Sequence, residues 1–383
     1  LLYSAPPSDP EEGEESVRVA IVHDWLNQTG GAENVLDVLH DLYPEAPIYT
    51  SMYDPDLMHS KYRQWDIRTS FMQRLPGVTR HHQPYLPLYP LAFESFDLSG
   101  YDLVISNSSG FCHGVVTRPE TVHVNYCLTP PRYCWMLPHY LERERVGGLA
   151  RRVLPVVVSA LRLWDAVASQ RVDHFIGISQ AIAARIRKFY RREAEVIYPP
   201  VETTKFAPSS EVGDFFLVVS RLIPYKRVDL AVRAFNLLEK PLWIVGDGRD
   251  RAALERIAGP TIRFLGRLPA GDVERLFAEC RALIFPGEED FGITPVEAQA
   301  AGRPVVAFGA GGALETVLDG QTGVFFGEPR AEALADAVER LERIPFDPDH
   351  AVRWARTFDT TVFRQRLTQS IARAIERHAV VAS

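Results

Sequence analysis

The chain has 383 residues, 46% of them hydrophobic and 24% charged, enough for two or more domains with buried cores. Its formal net charge of −7 argues against a surface built to hold nucleic acid. Four scattered cysteines, Cys112, Cys127, Cys134 and Cys280, form no CxxC pair and have no histidine at zinc-finger spacing. This pattern predicts a reducing compartment and argues against structural zinc or a disulfide framework.

Residues 1–16, "LLYSAPPSDPEEGEES", are acidic and lack a long apolar run, which predicts a disordered head rather than a secretory leader. "VRVAIVHDW" predicts a first strand, followed by the glycine loop "NQTGGAE" with Gly30 and Gly31, then a helix over "GGAENVLDVLHDLY". Residues 59–80 carry Lys61, Arg63, Arg68, Arg74 and Arg80 against Asp66 alone, with Tyr62, Trp65 and Phe71 between them. Such a stretch reads equally as a solvated basic face and as a peripheral contact for anionic lipid. "YDLVISNSS", "TVHVNYC" and "DHFIGIS" predict further short buried strands, the last followed by the helical "QAIAARIRKFY". The apolar run over residues 153–168 contains Pro155, Arg162 and Asp165, and is too short and polar to span a bilayer.

"EVIYPPVETTKFAPSS", residues 195–210, is rich in Pro, Thr and Ser and predicts a hinge. Beyond it the pattern restarts. "FFLVVSRL", "PLWIVGDG", "TIRFLG", "RALIFPG", "RPVVAFG" and "GVFFG" predict strands with helical text between most of them. The fold class is therefore α/β, with two doubly wound, Rossmann-like domains over residues 17–198 and 199–358 facing each other across a cleft.

Within "GEEDFGITPVEAQAAG", residues 287–302, Glu289 and Glu297 stand eight positions apart. Thr294, Pro295 and Glu297 have the spacing of a capping box, with Thr294 as N-cap. That helix start would aim unpaired N–H groups at residues 289–293, a geometry suited to phosphate, and Gly292 would allow close approach. Capping and ligand roles are compatible, and the spacing does not separate them. In "SRLIPYKRVDL", Arg221 and Lys226 follow a strand, where they would clamp a diphosphate or stand as two surface cations. "IVGDGRD" offers Gly246 and Gly248 but has Arg251 in place of the third glycine of a dinucleotide fingerprint, and "GAGGAL" ends in Leu314. A nicotinamide enzyme is therefore disfavoured, and no Walker A, GxSxG or HExxH motif is present.

Together, Glu289-x-Phe291-Gly292-x4-Glu297, "SRLIPYKRVD", "IVGDG", "VIYPPVETTKF", "GGAE", "YPLAFESFDLSGYDLVISNSS" and "HVNYCLTPPRYCW" resemble family 4 retaining glycosyltransferases of the GT-B fold. The wording of the first half is similar to the branch of bacterial O-antigen and exopolysaccharide mannosyltransferases. The resemblance implies a hexosyltransferase moving mannose from GDP-mannose to a lipid-linked or polysaccharide acceptor held by the first domain. It implies that Arg221 and Lys226 hold the donor diphosphate, Glu297 the ribose and Glu289 a sugar hydroxyl. Gly246 would mark the next donor-side strand end, and backbone amides of Phe291, Gly292 and Ile293 would touch sugar and phosphate. Gly31 would line the opposite wall, and His113 and Arg132 the acceptor side. The expected setting is cytoplasmic, with residues 59–80, on their composition, the candidate for a peripheral contact on the inner membrane face. No metal or bound cofactor is implied, the nucleotide-sugar being a co-substrate, and residues 359–383 would form a helix returning to the first domain. One position departs: relatives often read "YCHTP" where this chain has Leu128. That departure keeps open a catalytically silent nucleotide-sugar-binding subunit, beside a transferase using a UDP-sugar and a phosphorylase-like or sucrose-type enzyme.

Overall fold

The computed structural model describes residues 17–137 and 148–382, so the head expected over residues 1–16 lies outside the described residues. Short β-branched runs become parallel strands here because helices cover both faces of each sheet, leaving the central strands β1, β4 and β5 almost wholly buried. In the first half, β1 (Val19–His23), β2 (Ile48–Thr50), β3 (Ile67–Thr69), β4 (Leu103–Ser108), β5 (Val122–Cys127), β6 (His174–Gly177) and β7 (Glu195–Val196) are ordered 3-2-1-4-5-6-7. In the second half, β8 (Phe216–Val219), β9 (Leu242–Val245), β10 (Ile262–Gly266), β11 (Leu283–Phe285), β12 (Val305–Phe308) and β13 (Gly323–Phe326) are ordered 10-9-8-11-12-13. Each order reverses between two central strands, β1 and β4 or β8 and β11, which opens a crevice at their carboxyl ends.

The helices that matter to these crevices are α1 (Gly31–Leu42), α2 (Gln180–Tyr190), α3 (Ala270–Glu279), α4 (Ile293–Ala300) and α5 (Thr360–Ala382). The two crevices close on each other: a Cβ added to Gly31, at the start of α1, would lie 3.0 Å from Ile293 Cδ1 at the start of α4. Long helix α5 leaves the second half and packs on the first sheet. Its Phe363, Leu367 and Ile371 are buried in one cluster with Ile21, Val124 and Tyr126, and Arg373 meets Glu195 at 2.7 Å.

The chain thus crosses between halves twice, and the crossings are tied together. Val201 bridges Asp359 in parallel fashion, and the Thr203 hydroxyl donates to the Asp359 carboxylate at 2.5 Å. The hinge is narrower than the Pro/Thr/Ser-rich segment suggested, because Glu195 and Val196 pair with β6 as β7. Tyr198, Phe291, Trp354 and Phe358 form an aromatic cluster beside it, with ring centroids 5.1 to 5.7 Å apart. No helix among the described residues is long and apolar enough to cross a membrane.

Loops at the carboxyl ends of the second sheet pack backbone against backbone, which requires glycine. Gly246, at φ +123°, would overlap the Ser220 carbonyl if it gained a Cβ, whereas Gly327 has nothing within 4 Å. Gly246→Ala is expected to cost more than about 2 kcal/mol, and Gly327→Ala to stay within about 0.5 kcal/mol. Urea denaturation of the two variants checks this, and equal midpoints would refute the packing argument.

Candidate functional site

Strand β8 ends at Val219, and the chain turns through "SRLIPYKR" into a short 3-10 turn over Pro224–Lys226. Arg227 stands in the left-handed region at φ 52°, and the turn it ends carries Lys226 across the mouth of β11. There the Lys226 ammonium pairs with Glu289, and both side chains are largely buried. Arg221 reaches the Tyr225 hydroxyl at 3.3 Å and has no carboxylate partner among the described residues. The crevice therefore brings Arg221, Lys226 and Glu289 together at the point where the strand order reverses.

The loop after β11 is held from behind. Gly287 lies so close to the Tyr225 and Lys226 carbonyls that a Cβ would sit 2.9 Å from each. The Gly312 amide donates to the Glu289 carbonyl at 2.8 Å. Gly292 takes φ 90° and acts as N-cap of α4, so the helix begins at Ile293. The capping box expected at Thr294 does not form. Pro295 falls at the third helical position instead, which costs nothing because first-turn N–H groups have no intrahelical partner.

Glu297 consequently lies in the second turn of α4 and points into a cavity of about 570 Å³. Asn34 and Asp41 of α1, Glu202 and Lys205 of the hinge, Glu274 of α3 and Arg364 of α5 also line this cavity. Glu297 has no hydrogen-bond or ion-pair partner among the described residues. Burial first, then the neighbouring Glu274 and Glu202 charges, push its carboxyl up to about 7, with Lys205 opposing. An unpaired carboxylate in a concave site is suited to accept hydrogen bonds from ligand hydroxyls.

Each other predicted residue has a definite place. Gly31 forms the opposite wall against Ile293. Gly246 serves loop packing under Arg221 rather than an open ligand surface. The Phe291 side chain is buried in the hinge cluster, which leaves its backbone beside the crevice. Arg132 does not open onto the first half; it crosses to Asp290 and lies 5.7 Å from the Tyr225 ring centroid. His113 is a correction. It is buried at 2% exposure with Nε2 3.3 Å from the buried Asp165, so it faces the interior of the first half and not an acceptor. Leu128 is also buried, in the first core.

The basic stretch over residues 59–80 is partly paired. Lys61 pairs with Asp37 at 2.6 Å, Arg63 with Asp56 at 3.0 Å and Arg68 with Asp66 at 2.7 Å, while Tyr62 is buried. Arg74 and Arg80 are exposed and have no ion-pair partner among the described residues, and Phe71 is exposed beside them, so the stretch is neutralised only in part.

Several site residues carried no sequence signal. Arg185 of α2 meets Asp290 at 2.5 Å and Glu288 at 3.8 Å, and Glu315 accepts from the Gln180 and Ala181 amides at the start of α2, at 2.8 and 3.2 Å. Asp290 and Tyr225 lie inside the two motifs, so motif membership alone would have flagged them.

Comparison with known proteins follows the same division. Residues 202–357, which carry the second sheet and its flanking helices, match the family model of glycosyl transferases group 1. A GDP-mannose-dependent alpha-(1-6)-phosphatidylinositol monomannoside mannosyltransferase of Mycolicibacterium smegmatis is 31% identical over 221 residues, covering 49% of this chain and 57% of that one. A glycogen synthase of Xanthomonas campestris is 28% identical over 219 residues, covering 53% of this chain and 43% of that one. The chain spans about half the length of these curated relatives. The solved structure of HepE from Anabaena with UDP is similar at a TM-score of 0.65 and 18% identity, over 93% of this chain and 99% of that one. The fold is GT-B: two Rossmann-like α/β domains facing each other across a cleft.

The raised Glu297 carboxyl has a stability consequence with a fixed sign. Its folded form holds the proton more tightly than the unfolded chain does, so its contribution is full below the unfolded value of 4.5 and is lost as pH rises through about 7. Glu297→Gln should match the wild type near pH 5 and exceed it by about 1–3 kcal/mol near pH 8.5 in the absence of ligand. Urea titrations at the two pH values decide; a variant less stable at the higher pH would show that Glu297 has an ionic partner.

Proposed function

We propose that the chain is a family 4 retaining hexosyltransferase that moves a sugar, foremost mannose from GDP-mannose, to a lipid-linked or polysaccharide acceptor. The observation that carries this reading is the shared crevice of Arg221, Lys226 and Glu289, with Glu297, unpaired among the described residues, in the adjoining cavity. The 31% identity to a GDP-mannose-dependent enzyme supports the choice of donor. In this reading Arg221 and Lys226 bind the diphosphate, and Lys226 exchanges its Glu289 partner for it. The released Glu289 then accepts a hydrogen bond from a donor-sugar hydroxyl. Glu297 accepts from the ribose hydroxyls, and the backbone of Phe291, Gly292 and Ile293 approaches sugar and phosphate.

Cleaving the anomeric C–O bond to the diphosphate leaves negative charge on the leaving oxygen and positive charge on the anomeric carbon. Preorganised cations and the start of α4 stabilise the leaving group in a cleft partly closed to water, and no metal is needed for that role. Retention then follows from attack on the same face, with the leaving phosphate taking the acceptor proton. The two glutamates are thereby binding groups, unlike the paired carboxylates of retaining hydrolases. The acceptor enters from the first domain. A cytoplasmic setting belongs to this reading, supported by four cysteines that are all free and buried.

A melting-temperature screen with GDP, UDP and ADP is expected to single out GDP. In a transfer assay with the matching nucleotide-sugar, Lys226→Ala should retain the fold and lose about 10²- to 10³-fold in turnover. A folded Lys226→Ala variant at wild-type rate would sink the site assignment. Nucleotide binding without turnover on any glycan or glycolipid acceptor would point to a silent binding subunit instead.

A further inference from the structure

We infer that Arg132, contributed by the first domain, is a third cation of the proposed diphosphate clamp, held by Asp290 and by the ring of Tyr225; this rests on the donor-site reading above. Arg132 opens the short helical turn Arg132–Trp135, directly after Pro130 and Pro131, whose fixed φ angles stiffen the approach. Its guanidinium carbon lies 5.7 Å from the Tyr225 ring centroid, and Lys226 Nζ lies 5.4 Å from the same centroid. The Tyr225 hydroxyl is 3.3 Å from Arg221 Nη2. One aromatic residue therefore gathers three cations, two from its own loop and one from across the cleft. The face of an aromatic ring attracts cations, so Tyr225 offsets part of the repulsion among them.

The partners of these cations indicate which of them a ligand can draw away. Asp290 is 11% exposed and is shared by Arg132 and Arg185. Arg132 can turn towards an added anion while Arg185 continues to neutralise Asp290, so no buried charge is stranded. Arg185 has less freedom, because it faces Glu288 at 3.8 Å as well as Asp290. Arg132 thus combines a replaceable ion pair with a position beside the two donor-side cations. A guanidinium fork fits two phosphate oxygens, and it reaches them only while the two domains are together. Closure of the cleft and recognition of the second phosphate become one event.

The test compares nucleoside mono- and diphosphates, because a cation specific to the second phosphate alters only their ratio. Affinities of GDP, GMP, UDP and UMP are measured by calorimetry for wild type, Arg132→Gln, Asp290→Asn and the double variant. In Arg132→Gln the preference for diphosphate over monophosphate is expected to fall about 10- to 100-fold, with monophosphate affinity nearly unchanged. The same fall in the double variant, measured against Asp290→Asn, assigns the effect to the cation rather than to an exposed Asp290 charge. Tyr225→Phe should keep most of the preference and Tyr225→Leu should lose it. An unchanged ratio in folded Arg132→Gln overturns the inference, as does an effect confined to the KM of the acceptor. Absence of any nucleotide binding by the wild type would instead overturn the donor-site reading itself.

Discussion

Three consecutive acids on one loop tip, Glu288, Glu289 and Asp290, are the charges around which the cleft is arranged. Each meets a cation: Arg185 near Glu288, Lys226 at Glu289, and both Arg132 and Arg185 at Asp290. Partly buried carboxylates are costly unless paired, so this loop can hold its place only with the first domain against it. Its rear face is fixed by glycines that admit the backbones of neighbouring loops. The tip is thus pinned on both sides, and the start of α4 follows from where the tip ends.

Against that background Glu297 stands apart, since among the described residues it has no partner, in a cavity where burial first and then Glu274 and Glu202 disfavour its ionisation. The three acids of the loop tip are paired and this one, in the adjoining cavity, is not, which suits it to a ligand that brings its own donors. Such local conflicts between stability and placement gather at functional sites. Phe291 links this region to the rest of the molecule, because its ring sits in the hinge cluster while its backbone borders the crevice. A shift of the hinge is therefore felt by the loop that carries Glu289.

Much of this was legible in the sequence. The longer strands announced themselves as β-branched runs, and the restart of the strand and helix pattern after residue 210 revealed two sheets. Strands β2, β3 and β7, of two or three residues, lacked the continuous apolar run by which β11, also of three, announced itself. Thr294 misled because local spacing suggested a cap, while Gly292 could take a positive φ and start the helix earlier. His113 misled because position near a strand end does not reveal which way a side chain points. Arg185 and Glu315 could not be found by motif, since each acts on a partner more than a hundred residues away in the chain. Charge composition along residues 59–80 was real; Asp66 within it pairs with Arg68, while Asp37 and Asp56, which pair with Lys61 and Arg63, lie outside it.

The return of α5 to the first sheet carries a consequence for biosynthesis. The core of the first domain is closed by Phe363, Leu367 and Ile371, which belong to the last helix described. During synthesis that core stays open to solvent until residues 360–382 have left the ribosome. The second domain has by then emerged in full and can fold first, although its sequence comes later. The first domain waits throughout with an apolar face uncovered, and that face needs shielding until the helix docks.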